Sequence, residues 1–137
     1  MAQPYPPAAW DIGMPDDWFI VVPADGQLLY RLVGREEPRL RDFQSWRDRD
    51  QESGREARYP KQAFIDYTSL SMFETAALAV ESANIFPAYV ASVRLEAENG
   101  FSLARTEAGI DGHYGVWGDP EKLLVAVEGP AVGYAEP

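Results

Sequence analysis

The stretch ETAALAVESANIFPAYVASVRLE, residues 74–96, decides the fold because its hydrophobic pattern changes from the period of a helix to that of a strand. Its first part, Glu74 to Ile85, is rich in helix formers that share an apolar face, and Asn84 and Pro87 mark its end. Its last part alternates between two sets of side chains, as a half-buried strand does. The residues expected on the buried side of that strand are Tyr89, Ala91, Val93 and Leu95.

The helix has two candidate caps. Ser71 and Glu74 have the spacing of a capping box, in which each side chain bonds the backbone N–H of the other residue. Thr75 is the second candidate, because a threonine hydroxyl readily accepts a hydrogen bond from the first helical turn. Both candidates place the helix directly after an apolar run over residues 63–73, which predicts a strand.

The first part of the chain predicts a hairpin. Residues 18–22 and 28–33 are β-branched and aromatic runs, and the Asp25–Gly26 pair between them is a turn signal. We therefore expect these two runs to be paired neighbours in a sheet.

Residues 36–50 predict the first helix. Pro38 suits a first helical turn, and Leu40, Phe43 and Trp46 recur at helical spacing. This pattern is typical of a short amphipathic helix, and the polar residues 51–60 are expected to form the loop after it.

Three further strands are expected over residues 101–106, 114–117 and 123–127, with one helical turn capped by Asp119 between the last two. This order of strands and two main helices predicts an α+β domain with a mostly antiparallel sheet. Residues 16–137 are expected to form this single domain, and the proline-rich residues 1–15 a loose arm.

Composition limits the function classes. The chain has 137 residues, a net charge of −10 and no cysteine. The excess of acids argues against nucleic-acid binding; it is compatible with a basic protein partner, and solubility alone also explains it. The sequence offers no membrane span and no signal peptide, so a cytoplasmic protein is expected. Without cysteine there is no thiolate chemistry, and a metal would have to be held by oxygen ligands; no metal site is expected.

The stretch GHYGVWGDP, residues 112–120, is the segment most typical of a site. It combines the only histidine of the chain with two aromatic residues and three glycines. Because the pKa of histidine lies near neutrality, His113 suits the role of an acid, a base or a hydrogen-bond donor. Packing of His113 beside Tyr114 and Trp117 is the alternative interpretation.

Arg31 is unusual in its predicted strand. It lies between Leu29 and Val33 on one side of the strand, which places a cation between two apolar neighbours. Such an arginine either reaches solvent or an acid from an edge strand, or it binds a ligand. The sequence leaves both interpretations open.

These segments together resemble a group of small, largely uncharacterised bacterial proteins. The shared pattern runs YRLV, LxDFxS, SxF before an alanine-rich helix, and GHYxxWGDPxxLL, and it covers about residues 28–127. Here the four parts begin at Tyr30, Leu40, Ser71 and Gly112. More remotely, the order of these parts is similar to that of domains with the ADP-ribosyltransferase-like fold.

That resemblance implies an NAD-binding protein with transferase or other NAD-consuming activity. In that fold a first-strand arginine or histidine holds NAD, a serine-containing motif of the second strand supports it, and a later acid contacts the nicotinamide ribose. Arg31 matches the first motif, and Ser69 and Ser71 lie where the second is expected. Tyr114 and Trp117 complete the implied cofactor-binding residues.

The later acid has two candidates. Glu98 ends the Glu-x-Glu spacing of arginine-specific members, and Glu107 lies shortly before His113, as an acid does in some relatives. A carboxylate near the ribose would stabilise the oxocarbenium-like charge that forms as nicotinamide leaves. The implied catalytic residues are therefore Arg31, His113, Glu98 and Glu107.

Two other functions fit the same sequence. An acidic domain without catalysis, such as an antitoxin, an immunity protein or a regulatory subunit, would bind a basic partner with Trp10, Trp46 or Tyr59 as anchors. In that case Arg31 and His113 would be structural. A sensor, in contrast, would bind a nucleotide without reacting with it.

Overall fold

The structure is a computed structural model that describes residues 22–54, 68–105 and 111–137. The predicted arm over residues 1–15, most of the first predicted strand, most of the loop after residue 50, and the residues Trp10, Tyr59 and Glu107 lie outside the described residues.

Within the described ranges, the structure defines seven strands, three α-helices and two short 3-10 helices. The strands are β1 Val22–Pro23, β2 Gln27–Val33, β3 Leu70–Phe73, β4 Ala88–Leu95, β5 Ser102–Arg105, β6 His113–Trp117 and β7 Val132–Tyr134. The helices are α1 Trp46–Glu52, α2 Ala76–Glu81 and α3 Pro120–Val125, and the 3-10 helices are η1 Leu40–Phe43 and η2 Ala97–Asn99. Among these described helices, none has the length and apolar character of a membrane span.

The seven strands form one sheet in which all neighbouring strands are antiparallel. Their order across the sheet is β1-β5-β6-β3-β2-β4-β7. The longest ladder joins β2 to β4 and pairs residues 27–33 with residues 95–89. The predicted α+β class with an antiparallel sheet is confirmed, with three short helices in the described part of the chain.

Both faces of the sheet are covered. On one face, which we call the η1 face, Phe43 of η1 and Leu123 of α3 pack against the sheet in the main core. On the other, the α2 face, Ala79 of α2 packs with Phe73 and Val90. The helices therefore enclose the middle of the sheet from two sides.

β4 confirms most of its predicted alternation. Ala91, Val93 and Leu95 are fully buried on the η1 face, and Tyr89 is partly buried there. Val90, on the other side of the strand, is also buried because α2 covers it. A strand inside a covered sheet is shielded from water on both faces, and a period of two predicts only one of them.

The predicted hairpin of the first two strands is wrong. β1 pairs with β5, whereas β2 pairs with β3 and β4. The turn between β1 and β2 contains Gly26, whose φ is +85° and whose N–H donates to the carbonyl of Leu95 at 2.7 Å. That bond directs the chain from the edge strand β1 to a position beside β4.

The single helix predicted over residues 36–50 is also wrong. Ser45 Oγ accepts from the N–H of Asp48 at 3.1 Å, and the N–H of Ser45 donates to the Asp48 carboxylate at 3.0 Å. This reciprocal cap starts α1 as a separate helix after η1. The break leaves Trp46 60% exposed, while Phe43 is fully buried.

Thr75 is the cap of α2. Its Oγ1 accepts from the N–H of Leu78 at 3.1 Å, and the helix covers Ala76–Glu81, which is shorter than predicted. The capping box of Ser71 and Glu74 is wrong because Ser71 belongs to β3, whose extended backbone continues to the residue before Glu74.

Most of the strand predicted over residues 123–127 is helix α3. Asp119 Oδ1 accepts from the N–H of Glu121 at 2.9 Å, and Pro120 occupies the first turn. The helical turn predicted at Asp119 is therefore confirmed, and it continues through Val125. β7, at the edge of the sheet, is a strand that the sequence did not predict.

Leu123→Ala is expected to lower the free energy of unfolding by about 2–5 kcal/mol, because Leu123 is fully buried. Val125→Ala is the matched control, since Val125 is 84% exposed, and it should stay within about 0.5 kcal/mol of the wild type. A strand would put both side chains on one face. Similar losses for the two variants in chemical denaturation would therefore contradict helix α3.

Candidate functional site

Three adjacent strands carry the main predicted site residues. β3 lies between β2 and β6, and its Phe73 pairs with Tyr30 on one side and with His113 on the other. Arg31, Ser71 and His113 therefore stand on neighbouring strands in the middle of the sheet. Long-range strand pairing brings them together.

The Arg31 side chain bonds two backbone carbonyls. Its Nε donates to the carbonyl of Asp42 in η1 at 2.6 Å, and its Nη1 donates to the carbonyl of Ser71 in β3 at 3.0 Å. Desolvation lowers the pKa of Arg31 to about 10, the charge of Asp42 opposes this shift, and the charge of Arg49 adds to it. At neutral pH the guanidinium is still protonated.

Arg31 acts where the ladder between β2 and β3 ends. The two strands pair at Tyr30 and Phe73, and the described residues show no further ladder pair between them. A strand carbonyl without a ladder partner needs another donor, and Arg31 supplies it to Ser71. The arginine thus closes a gap between two strands.

The structure places Arg31 and His113 on opposite faces of the sheet. Arg31 shares its side of β2 with Leu29 and Val33, which belong to the core on the η1 face. The ring of His113 lies 5.0 Å from the ring of Phe73, which belongs to the core on the α2 face. The backbone of the sheet therefore lies between the Cβ atoms of the two side chains.

Three predicted site residues share the α2 face of β3 and β6. Ser71 pairs with Gly115 and Phe73 pairs with His113, and side chains on one face recur at every second residue. Ser71, His113 and Trp117 therefore lie on the same face. Ser71 is exposed, whereas His113 and Trp117 are buried.

Trp117 and Ser69 lie in the buried part of this region. The indole Nε1 of Trp117 donates to Oγ1 of Thr68 at 2.9 Å, and Ser69 next to it is 7% exposed. A buried indole N–H needs such an acceptor. This bond ties the end of β6 to the chain that enters β3.

A carboxylate that the sequence assigned only to a helix cap, that of Glu74, lies beside Tyr114. The Tyr114 hydroxyl donates to Glu74 Oε1 at 2.9 Å, and Nη2 of Arg105 lies 3.7 Å from the same oxygen. Arg105 also lies over the ring of Tyr114, 5.9 Å from its centroid. Tyr114 and then Glu74 raise the pKa of Arg105. Only the pairing of β3 with β6 brings Glu74 here, and no local pattern shows that pairing.

Gly112 fits closely against the same carboxylate. Its φ is +82°, and its carbonyl accepts from the N–H of Glu74 at 2.8 Å. A Cβ at this position would lie 2.7 Å from Leu78 Cδ1 and 3.0 Å from Glu74 Oε2. The glycine that begins the predicted box is therefore required for packing against α2 and the end of β3.

Of the two acids expected near the ribose, Glu98 is exposed in η2, and Glu107 lies outside the described residues. Within the described ranges, no hydrogen bond joins Glu98 to Arg31 or Ser71. The same ranges contain no group of three or more histidine, aspartate or glutamate side chains arranged to hold a metal ion.

An open groove of about 570 Å³ lies between the end of β4 and α3. It is lined by four carboxylates, those of Glu96, Asp119, Glu121 and Glu128, and by two cations, those of Arg94 and Lys122. Arg94 Nε lies 3.4 Å from Glu128 Oε2, and Arg94 Nη1 donates to the carbonyl of Gly26 at 3.0 Å. The groove therefore has an excess of negative charge, and the exposed Val125 adds an apolar side to it.

No model of a known protein family matches the chain, and no curated protein or solved structure was found to be similar to it. Function is therefore argued from the geometry and chemistry of the site.

Gly112→Ala is expected to destabilise the protein more than Gly129→Ala. Both glycines have a positive φ, so an alanine adds about 1–2 kcal/mol of backbone strain at either position. Only Gly112 also faces Leu78 and Glu74, whereas nothing described lies within 4 Å of a Cβ at Gly129. Urea denaturation measures both losses.

Adding Leu78→Ala to Gly112→Ala provides the control for this overlap, because it removes the closest atom. The double variant should lose less than the sum of its two single changes. Equal losses for Gly112→Ala and Gly129→Ala would contradict the close packing at Gly112.

Proposed function

We propose that this chain is an NAD-binding domain of the ADP-ribosyltransferase-like kind. The observation that carries the proposal is the hydrogen bond from Arg31 of β2 to the carbonyl of Ser71 of β3, 40 residues away. The resemblance in sequence assigns these residues to the two motifs that hold and support NAD. Their contact is what a shared site requires.

The position of β6 supports the same proposal. β6 pairs with β3, so the box that begins at Gly112 lies beside the serine motif. We propose a cleft at the place where Arg31, coming from the η1 face, meets the backbone of Ser71 in β3. Arg31 reaches Ser71 where the ladder between β2 and β3 ends.

The charge of Arg31 suits a dinucleotide. Its pKa of about 10 keeps the guanidinium protonated at neutral pH. Among the described residues, Nη2 makes no hydrogen bond, while Nε and Nη1 are held by carbonyls. A guanidinium fixed in this way is preorganised for a charge-assisted bond to a phosphate oxygen.

Glu74 is the acid that the proposal assigns to the reaction. When the bond between ribose and nicotinamide breaks, its electron pair leaves with nicotinamide and positive charge develops on the ribose, which a carboxylate stabilises. An acceptor nucleophile or water then bonds to the same carbon and releases its proton to solvent. Tyr114 and Arg105 orient the Glu74 carboxylate for this role.

Arg31→Lys is expected to weaken NAD binding about tenfold or more, because lysine keeps the charge but loses the planar set of donors. Ligand-observed NMR with NAD measures the binding, and free nicotinamide in the same spectra measures the reaction. Arg35→Lys, at an exposed position, is the matched control and should bind as the wild type does.

The outcomes of this experiment separate the functions. Binding with release of nicotinamide, lost in a folded Glu74→Gln variant, supports an enzyme. Binding without release favours a nucleotide sensor. A wild-type protein that shows no binding at millimolar NAD contradicts the proposal.

The groove between β4 and α3 favours a second candidate function, an acidic module that binds a basic protein. Its carboxylates outnumber its cations, and Arg94 is already bonded to Glu128 and to a backbone carbonyl. Val125 offers an exposed apolar contact beside these charges. A segment with arginine or lysine next to an aliphatic residue has the matching chemistry.

Glu121→Lys is expected to weaken the binding of a peptide of alternating arginine and leucine several-fold, because it reverses a charge in the groove. Glu37→Lys makes the same charge change at an exposed position outside the groove. Fluorescence anisotropy at low and at physiological salt measures both. An equal loss in the two variants would show that the peptide senses only the net charge of the protein.

A further inference from the structure

Two arginines from different elements meet at η1. Arg31 of β2 donates from Nε to the carbonyl of Asp42 at 2.6 Å, and Arg49 of α1 donates from Nη2 to the carbonyl of Arg41 at 2.9 Å. These two carbonyls belong to consecutive residues of the same 3-10 helix. The two side chains therefore bond the same helical turn, and the charge of Arg49 acts on Arg31.

Their proximity is costly without an anion. Both side chains are partly buried, and the charge of Arg49 is one of the causes that lower the pKa of Arg31. Like charges that lose water repel each other more strongly than they would on an exposed surface. Backbone carbonyls provide partial negative charge but do not neutralise two cations.

Asp42, the acid whose charge acts on Arg31, compensates only in part. Asp42 acts on Arg31 through its charge, but its two oxygens accept from the N–H of Gly34 at 3.1 Å and from the N–H of Arg39 at 2.7 Å. These bonds hold the carboxylate at the start of η1. Among the described residues, Asp42 forms no ion pair with Arg31 or Arg49.

One donor of these two guanidinium groups has no acceptor. Nε of Arg49 is buried and makes no hydrogen bond. A buried N–H of a charged group without an acceptor costs more than a buried neutral one, so native structures rarely keep it unless a ligand, ion or water completes the site.

Trp46 stands beside these charges. It is 60% exposed, and the guanidinium of Arg49 lies 5.4 Å from the centroid of its ring. An exposed indole next to a cation is a surface on which a planar ring can stack. The site would therefore accept an oxyanion alone or one attached to an aromatic base.

We propose that Arg31 and Arg49 form one oxyanion site beside η1 that binds a phosphate or pyrophosphate group. The Nε–H of Arg49 and the Nη2 group of Arg31 are its donors, and the two η1 carbonyls hold the guanidinium groups in place. The site rests on the proposed function only insofar as the oxyanion is the pyrophosphate of NAD. A free phosphate or another phosphorylated molecule would use the same donors.

Inorganic pyrophosphate is the probe that tests the site. In the full-length protein labelled with ¹⁵N, titration should shift the Nε–Hε resonance of Arg49, because this donor gains an acceptor. Phosphorus NMR or calorimetry gives the affinity. Arg49→Gln should weaken pyrophosphate binding about tenfold or more, since it removes one of two charge-assisted contacts.

Two further variants control for folding and for net charge. Arg49→Lys keeps the charge and most of the packing but has no Nε–H donor, so it should retain only part of the affinity. Arg35→Gln removes the same charge at an exposed position and should bind as the wild type does. A folded Arg49→Gln variant with wild-type affinity, or a wild-type protein that binds no pyrophosphate, would overturn the proposal.

NAD in place of pyrophosphate separates this proposal from the proposed function. If pyrophosphate binding depends on Arg49 and NAD does not bind, the result supports the oxyanion site and contradicts the proposed NAD function. NAD binding that depends on Arg31 but is unchanged in Arg49→Gln rejects the two-arginine site and keeps the NAD function.

Discussion

The ladder between β2 and β4 is the interaction on which the other elements depend. It pairs every residue of β2, and every row of the ladder except Leu28–Arg94 contributes a side chain to one of the two cores. Leu29 and Val93 lie together on the η1 face, and Leu32 and Val90 lie together on the α2 face. Because full burial of one such side chain is worth about 1.5–3 kcal/mol, a slip of one residue would exchange the two faces and lose both cores.

The fixed register of β2 determines what Arg31 can do. A side chain at this position must lie on the η1 face, where it meets η1 and the gap between β2 and β3. An aliphatic residue would pack there but would leave the carbonyls of Asp42 and Ser71 without these donors, at about 1–3 kcal/mol for each carbonyl that stays dry. The structural and ligand-binding interpretations of Arg31 are therefore compatible, because anchoring the guanidinium also orients its remaining donor.

The sequence predicted the elements that are governed by local chemistry. The alternation of residues 89–95 and the cap at Asp119 depend on neighbours within a few residues, and both are confirmed. The predicted hairpin was wrong because the turn signal at Gly26 does not specify with which strand the chain pairs after the turn. The strand predicted over residues 123–127 was wrong because this hydrophobic pattern suits a strand as well as a helix. Asp119 and Pro120, which start helix α3, decide for the helix. A local cap thus decided between two conformations of similar hydrophobic pattern.

The candidate site was less predictable than the fold, for the same physical reason. The sequence identified Arg31 from a polar residue in an apolar strand, but the residues around it come from η1, α1 and β3. Glu74 had a local interpretation as a helix cap, and its contact with Tyr114 exists only because β3 and β6 pair. Trp46 was expected as part of an apolar stripe, and the separate cap of α1 exposes it.

The local charge beside η1 is opposite in sign to the net charge of the chain. A net charge of −10 repels an anion at long range, but at physiological ionic strength that field decays over about 8 Å. Within that distance an anion beside η1 would meet two guanidinium groups. Arg35 carries the same charge as Arg49 but is exposed and hydrated, so it gains little from an anion. Nε of Arg49, in contrast, is buried and has no hydrogen-bond partner, so an oxyanion would gain more at Arg49 than at Arg35.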